Sequence, residues 1–84
     1  MRTTTILWNK AVDINTPEFQ DHKAKLDTER IRLTGPDFDT YLVKDLWTQT
    51  TVQFTRVWPD YETAWAFCQF ALDNGALSAQ VDPE

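Results

Sequence analysis

The chain has 84 residues and a net charge of −5 at neutral pH. This length predicts one domain over residues 1–84, with a short tail at residues 82–84. The acidic balance argues against nucleic acid as a partner, because phosphate binding needs a basic surface, and it argues equally against anionic membranes. A single cysteine, Cys68, and a single histidine, His22, can form neither an intrachain disulfide nor a Cys/His zinc site. We therefore expect no metal and no cofactor, and a reducing, cytoplasmic compartment.

The first segment predicts a strand followed by a helix. Residues 3–10 are rich in β-branched and aromatic side chains, and Ile6 and Trp8 alternate onto one face of the predicted strand. Thr16 is a good N-cap, and Pro17 suits the first position of a helix.

The predicted first helix is amphipathic. At 100° per residue one narrow stripe contains Phe19, His22, Leu26 and Leu33. Gly35 and the proline after it must stop the helix. Because Ile31 lies off the stripe, we expect fraying near Arg30.

Residues 39–58 contain no glycine or proline and predict two strands, at about 40–47 and 51–58. The second of these alternates polar and apolar side chains. The first is apolar on both faces, with Tyr41, Val43 and Trp47 on one side and Leu42 and Leu46 on the other. A strand of this kind is normally covered on both sides.

The last segment predicts a helix from Asp60, as N-cap, to Gly75, and a short strand at residues 77–81. The element order is then β-α-β-β-α-β. This order predicts an α+β fold of the ferredoxin-like split βαβ type, with one antiparallel sheet and both helices on one face.

The second helix carries more large apolar residues than one face can hold. Helical periodicity predicts a sheet-facing side made of Tyr61, Ala64, Trp65, Cys68, Ala71 and Leu72. Phe67 then lies on the flank and Phe70 almost opposite, with Ala66 beside it. Together with the doubly apolar strand, this surplus predicts a contact between subunits of a homodimer. The predicted interface consists of Phe70, Ala66, Phe67, Leu42, Leu46 and Trp47.

His22 allows two interpretations. It could act as a general base or as the polar group of a ligand pocket. Its place between Phe19 and Leu26 on the apolar stripe favours a packed, structural histidine. Cys68 lies in mid-helix on the predicted core face, where a thiol is usually inert.

These features predict a small, acidic, non-catalytic protein-binding or regulatory module that uses an aromatic surface. Tryptophan and tyrosine are enriched in binding hot spots, and the chain has 4 Trp and 2 Tyr. The alternative is a small enzyme or small-molecule binder whose layout is similar to the dimeric α+β barrels. In that case His22 or Tyr41 would be the polar group of an aromatic-lined pocket.

Overall fold

A computed structural model describes residues 1–9, 16–36, 38 and 42–83, with only the backbone described at residues 42–44. Within these residues the chain forms six elements in the predicted order. They are β1 (Arg2–Asn9), α1 (Pro17–Thr34), β2 (Leu42–Trp47), β3 (Thr51–Trp58), α2 (Tyr61–Asp73) and β4 (Ser78–Val81).

The strands form one antiparallel sheet in the order β2-β3-β1-β4. Helix α1 joins β1 to β2, which lie on either side of β3, and helix α2 joins β3 to β4, which lie on either side of β1. Each helix therefore connects two strands that are separated by a third, which is a split βαβ arrangement. The predicted α+β fold class is confirmed.

One face of the sheet carries the core. Alternation along β1 buries Thr4, Ile6 and Trp8, while the side chains between them are only half-buried. The core cluster combines Ile6, Trp8, Val52, Trp58, Ala64, Phe67 and Ala71. Leu26 and Leu33 of α1 pack against the same cluster, so both helices lie on this face.

Helix α1 is longer than expected. It continues to Thr34, so the prediction that it frays near Arg30 is wrong. Gly35 ends it with a φ of 82° and donates its backbone N–H to the carbonyl of Ile31 at 2.7 Å. This bond closes the last turn, and a single exposed apolar side chain such as Ile31 costs too little to stop a helix.

Helix α2 presents a different face to the sheet from the one predicted. Its buried residues are Ala64, Phe67, Cys68 and Ala71. Three residues expected in the core are exposed instead: Tyr61 by 50%, Trp65 by 46% and Leu72 by 39%. The helix does carry a surplus of apolar residues, but they are Tyr61, Trp65 and Leu72 and lie on a different side from the predicted Phe70.

Packing against Trp58 explains this rotation of the core face. The Trp58 side chain is completely buried, and its ring lies 4.5 Å from the Phe67 ring between centroids. Ala64, Cys68 and Ala71 belong to both the predicted and the observed buried face, so the contact of Phe67 with the indole distinguishes the two.

Candidate functional site

The most prominent exposed apolar feature is a row of three side chains on α2. Tyr61, Trp65 and Leu72 are 4 and 11 residues apart along the chain, so they fall within about 40° of one another around the helix axis. We call these three residues the α2 stripe. It is about 16 Å long, because a helix rises about 1.5 Å per residue.

The α2 stripe faces away from α1. The opposite flank of α2 contacts α1, where Lys25 Nζ donates to Asn74 Oδ1 at 3.2 Å. Phe70 is half-buried on that flank. Since β4 is the outermost strand on the α2 side of the sheet, the stripe lies beside the open edge of β4.

Strand β4 presents part of its backbone to this edge. Asp82 donates its N–H to the carbonyl of Thr3 at 2.7 Å, which fixes the positions at which the strand bonds to β1. Hydrogen-bonded and non-hydrogen-bonded pairs alternate in an antiparallel ladder. The peptide groups of Ala79 and Val81 therefore point away from β1, and in the described part of the chain no strand lies beyond them.

The Tyr61 end of the stripe interacts with a cation. The guanidinium carbon of Arg2, at the start of β1, lies 5.2 Å from the centre of the Tyr61 ring. This distance is within the range of a cation–π interaction.

The chain's charge is unevenly distributed along the sequence. All eight lysine and arginine residues lie in residues 2–56, together with eight acidic residues. Residues 57–84 contain five acidic residues and no basic one, so the whole net charge of −5 arises there. Two of these acids, Glu62 and Asp73, are exposed on α2, about 90° around the helix axis from the α2 stripe.

A second exposed apolar feature lies at the opposite edge of the sheet. Leu46 and Trp47 of β2 are each 46% exposed, on opposite faces of the strand. The Trp47 ring also meets Phe54 edge-on, with 6.2 Å between centroids. Both residues belong to the predicted interface. For the third predicted residue of this strand, Leu42, the structure describes only the backbone.

The charges next to this pair neutralise each other. Arg56 donates from Nη1 to Asp45 Oδ1 at 3.0 Å, and both side chains are about one quarter exposed. The same guanidinium lies 5.0 Å from the centre of the Phe54 ring. The β2 edge thus combines apolar surface with an internally compensated ion pair.

The other predicted interface residues do not form an exposed surface. Phe67 is buried in the core, so its assignment to the interface is wrong. Phe70 and Ala66 are half-buried, and the Phe70 ring lies 6.2 Å from Phe67 between centroids. The error follows from the rotation of α2, which turns the flank containing Phe67 toward the sheet.

His22 packs against Trp8. The two rings meet edge-on, with centroids 4.7 Å apart and planes at 83°. Burial lowers the pKa of His22, and the charge of Lys25 lowers it further, so the ring is neutral at pH 7. This is the packed histidine that the amphipathic stripe predicts. Tyr41, its alternative partner in a ligand pocket, lies outside the described residues.

Cys68 is completely buried on the sheet-facing side of α2. Burial and the nearby charge of Asp82 raise the pKa of its thiol to about 11, so the sulfur stays protonated and is a poor nucleophile at neutral pH. Across residues 1–9, 16–36, 38 and 42–83, no three His, Cys, Asp or Glu side chains are grouped so that they could hold a metal ion. Nor does a helix within these ranges have the length and apolar character to cross a bilayer.

Periodicity alone missed the α2 stripe, because Ala64, Cys68 and Ala71 belong to both the predicted and the observed buried face of the helix. One signal for the stripe is present in the sequence. The segregation of acidic residues into residues 57–84 marks the same helix as a distinct surface. Comparison with models of protein families, with curated proteins and with solved structures finds no match for this chain.

Proposed function

We propose that this protein is a non-catalytic protein-binding module, and that it binds its partner through the α2 stripe and the adjacent edge of β4. One observation carries the proposal. Three large apolar side chains project in line from α2, although the buried face of that helix is complete without them. Aligned exposed aromatics of this kind are typical of binding surfaces.

The state of the titratable side chains supports binding over catalysis. The His22 ring packs on Trp8, and the Cys68 thiol is buried and protonated. In the part of the chain that the structure describes, neither group lies beside a second group that could activate it. We also propose the cytoplasm as the location, because a chain with a single cysteine is typical of a reducing compartment.

Affinity capture from a lysate of the host organism, read out by mass spectrometry, tests this function with two matched variants. Trp65→Ser removes the central ring of the α2 stripe. Trp47→Ser removes an equally exposed tryptophan at the opposite edge of the sheet. We expect a captured protein that is lost with Trp65→Ser and retained with Trp47→Ser. Capture that is unchanged by Trp65→Ser, or no specific capture at all, would contradict the proposal.

Homodimerisation is a second proposed property, and the β2 edge favours it. Leu46 and Trp47 expose apolar surface there, and the Asp45–Arg56 pair lets two copies meet without bringing unpaired like charges together. A chain of this size also gains from covering such surface, because a small domain buries a modest fraction of its apolar area.

Sedimentation equilibrium tests homodimerisation separately from binding to another protein. We expect the parent protein and Trp65→Ser to be dimeric, and Trp47→Ser to shift toward the monomer. A parent protein that is monomeric at high concentration would refute the homodimer and leave the binding proposal standing.

A further inference from the structure

We propose that two copies of this chain pair along β2 as antiparallel strands, with a two-fold axis at Leu46, and so join their four-stranded sheets into one. The inference rests on the proposed homodimerisation. It adds how the two edges meet, which residue lies on the axis, and which backbone groups join the subunits.

The first argument is the direction of the backbone groups in β2. Thr48 donates its N–H to the carbonyl of Thr51 at 2.9 Å, so Thr48 is a position that bonds toward β3. Because such positions alternate in an antiparallel ladder, Leu46 also bonds to β3, while Asp45 and Trp47 direct their N–H and C=O groups away from it. Within the described residues no strand lies beyond β2, so these groups are on an open edge that can pair with another chain.

The second argument is register, because the regular part of this edge is short. A β-bulge between Leu42 and Lys44 interrupts the ladder on one side, and β2 ends at Trp47 on the other. A second copy can use both outward peptide groups only if Asp45 pairs with the partner's Trp47 and Trp47 with the partner's Asp45. The two-fold axis then passes between the two copies of Leu46.

The third argument is that this register covers both exposed apolar side chains of the edge. Trp47 pairs with the core residue Val52, so it lies on the helix face of the sheet and Leu46 lies on the other face. Leu46 would be directly opposite the partner's Leu46 in a non-hydrogen-bonded pair, where side chains are closest. Trp47 would lie beside the partner's Asp45. One contact therefore buries two side chains that are each 46% exposed in the single chain.

The fourth argument is charge. Asp45 is the only acidic residue in β2, and it accepts a hydrogen bond from Arg56 of its own chain. The partner's Trp47 would thus meet a compensated carboxylate and a guanidinium, which packs favourably on an indole. The edge at β4 lies within residues 57–84, which contain five acidic residues and no basic one, so self-association there would bring like charges together.

Cysteine cross-linking tests the position of the axis. Leu46→Cys should give a disulfide-linked dimer on mild oxidation, because facing Cα atoms of a non-hydrogen-bonded pair are about 4.5 Å apart. Gln53→Cys is the matched control, since Gln53 lies beside Leu46 on the same face but one strand further in. Its two copies would be about 14 Å apart and should not cross-link. The parent protein controls for Cys68, which is buried.

A charge swap tests whether residue 46 faces its own copy. Leu46→Lys and Leu46→Glu should each keep the fold by circular dichroism, because the side chain is half-exposed. Each should raise the dimer dissociation constant about tenfold, since like charges would lie directly opposite. An equimolar mixture of the two variants should form a heterodimer about as tight as the parent dimer. The same two substitutions at Gln53 should change dimerisation little.

Hydrogen exchange measured by NMR tests the backbone pairing. The amides of Asp45 and Trp47 should exchange about tenfold more slowly at a protein concentration that favours the dimer than at one that favours the monomer. The amide of Leu46 is the internal reference, because it bonds to β3 within one chain and should change much less.

The proposed pairing is overturned if Leu46→Cys does not cross-link, or if Gln53→Cys cross-links equally well. It is also overturned if the mixed charge variants stay monomeric, or if exchange of the outward amides does not depend on concentration. Where the parent is a dimer and Trp47→Ser is a monomer, such results leave the homodimer standing and reject only this geometry. A monomeric parent protein would refute both.

Discussion

The indole Nε1–H of Trp58 donates a hydrogen bond to Thr4 Oγ1 at 2.8 Å, and both side chains are completely buried. The bond joins the two central strands, β3 and β1, on the face that α2 covers. It holds the indole in the position where its ring meets Phe67. This contact helps to set which side of α2 faces the sheet, and therefore which side carries the α2 stripe.

Replacing Thr4 with Val should destabilise the protein by about 1–3 kcal/mol, because the buried indole N–H loses the Thr4 hydroxyl as its acceptor at nearly constant volume. Urea denaturation measures the change in the free energy of unfolding. Trp58→Phe serves as the partner variant in a double-mutant cycle, and the combined loss should be smaller than the sum of the two single losses. A strictly additive cycle would show that the bond contributes nothing.

The orientation of α2 predicts that truncating two neighbouring aromatic residues lowers stability by very different amounts. Phe67→Ala should cost about 3–5 kcal/mol, as expected for a large side chain removed from a core. Trp65→Ala should cost less than about 1 kcal/mol, because nearly half of its side chain is already in contact with solvent. Thermal or urea unfolding compares them directly. A larger loss of stability for Trp65→Ala than for Phe67→Ala would mean that α2 buries the face predicted from periodicity.

His22 should make stability depend on pH below neutrality. Its pKa is lowered in the folded protein from an ordinary value of 6.5, so the folded state favours the neutral ring and the unfolded chain binds the proton more readily. The stability contributed by the neutral ring should therefore be complete above about pH 7.5 and fall as the pH drops through and below 6.5. Unfolding free energies at intervals across this range should show the decline, and His22→Gln should flatten it. The same slope in both proteins would assign the effect to other groups.

Cys68 should be unreactive in the folded protein. Because its thiol is buried and its pKa is raised to about 11, almost no thiolate is present at pH 8. A disulfide reagent such as DTNB should label the thiol slowly without denaturant and completely in guanidinium. Rapid stoichiometric labelling of the native protein would mean that the α2–sheet contact opens readily.

Proline substitutions should distinguish the backbone groups of β4 that point outward from those that bond to β1. The N–H of Ala79 points away from β1, whereas Gln80 lies at a position that bonds to β1. Ala79→Pro should therefore keep the fold, as judged by circular dichroism, while Gln80→Pro should lose at least about 2 kcal/mol more. Equal losses would show that the register of the β1–β4 pairing differs from the one described.

The elements of this fold can be predicted from local patterns. Alternation along β1, the Thr16–Pro17 start of α1 and the positive φ of Gly75 all agree with expectation. Each depends on residues close together in the chain, whose conformational preferences are largely local. The α+β class follows from the order of these elements.

Tertiary structure alone decided which side of α2 is buried. Two helical faces, one through Trp65 and Leu72 and one through Phe67, carry comparable apolar area, so periodicity cannot rank them. The choice depends on Trp58, whose indole is anchored to Thr4 on another strand and packs against Phe67. Because that constraint acts between residues far apart in the chain, the sequence by itself determined that α2 has a surplus apolar face, and packing decided that this face is the one containing Trp65.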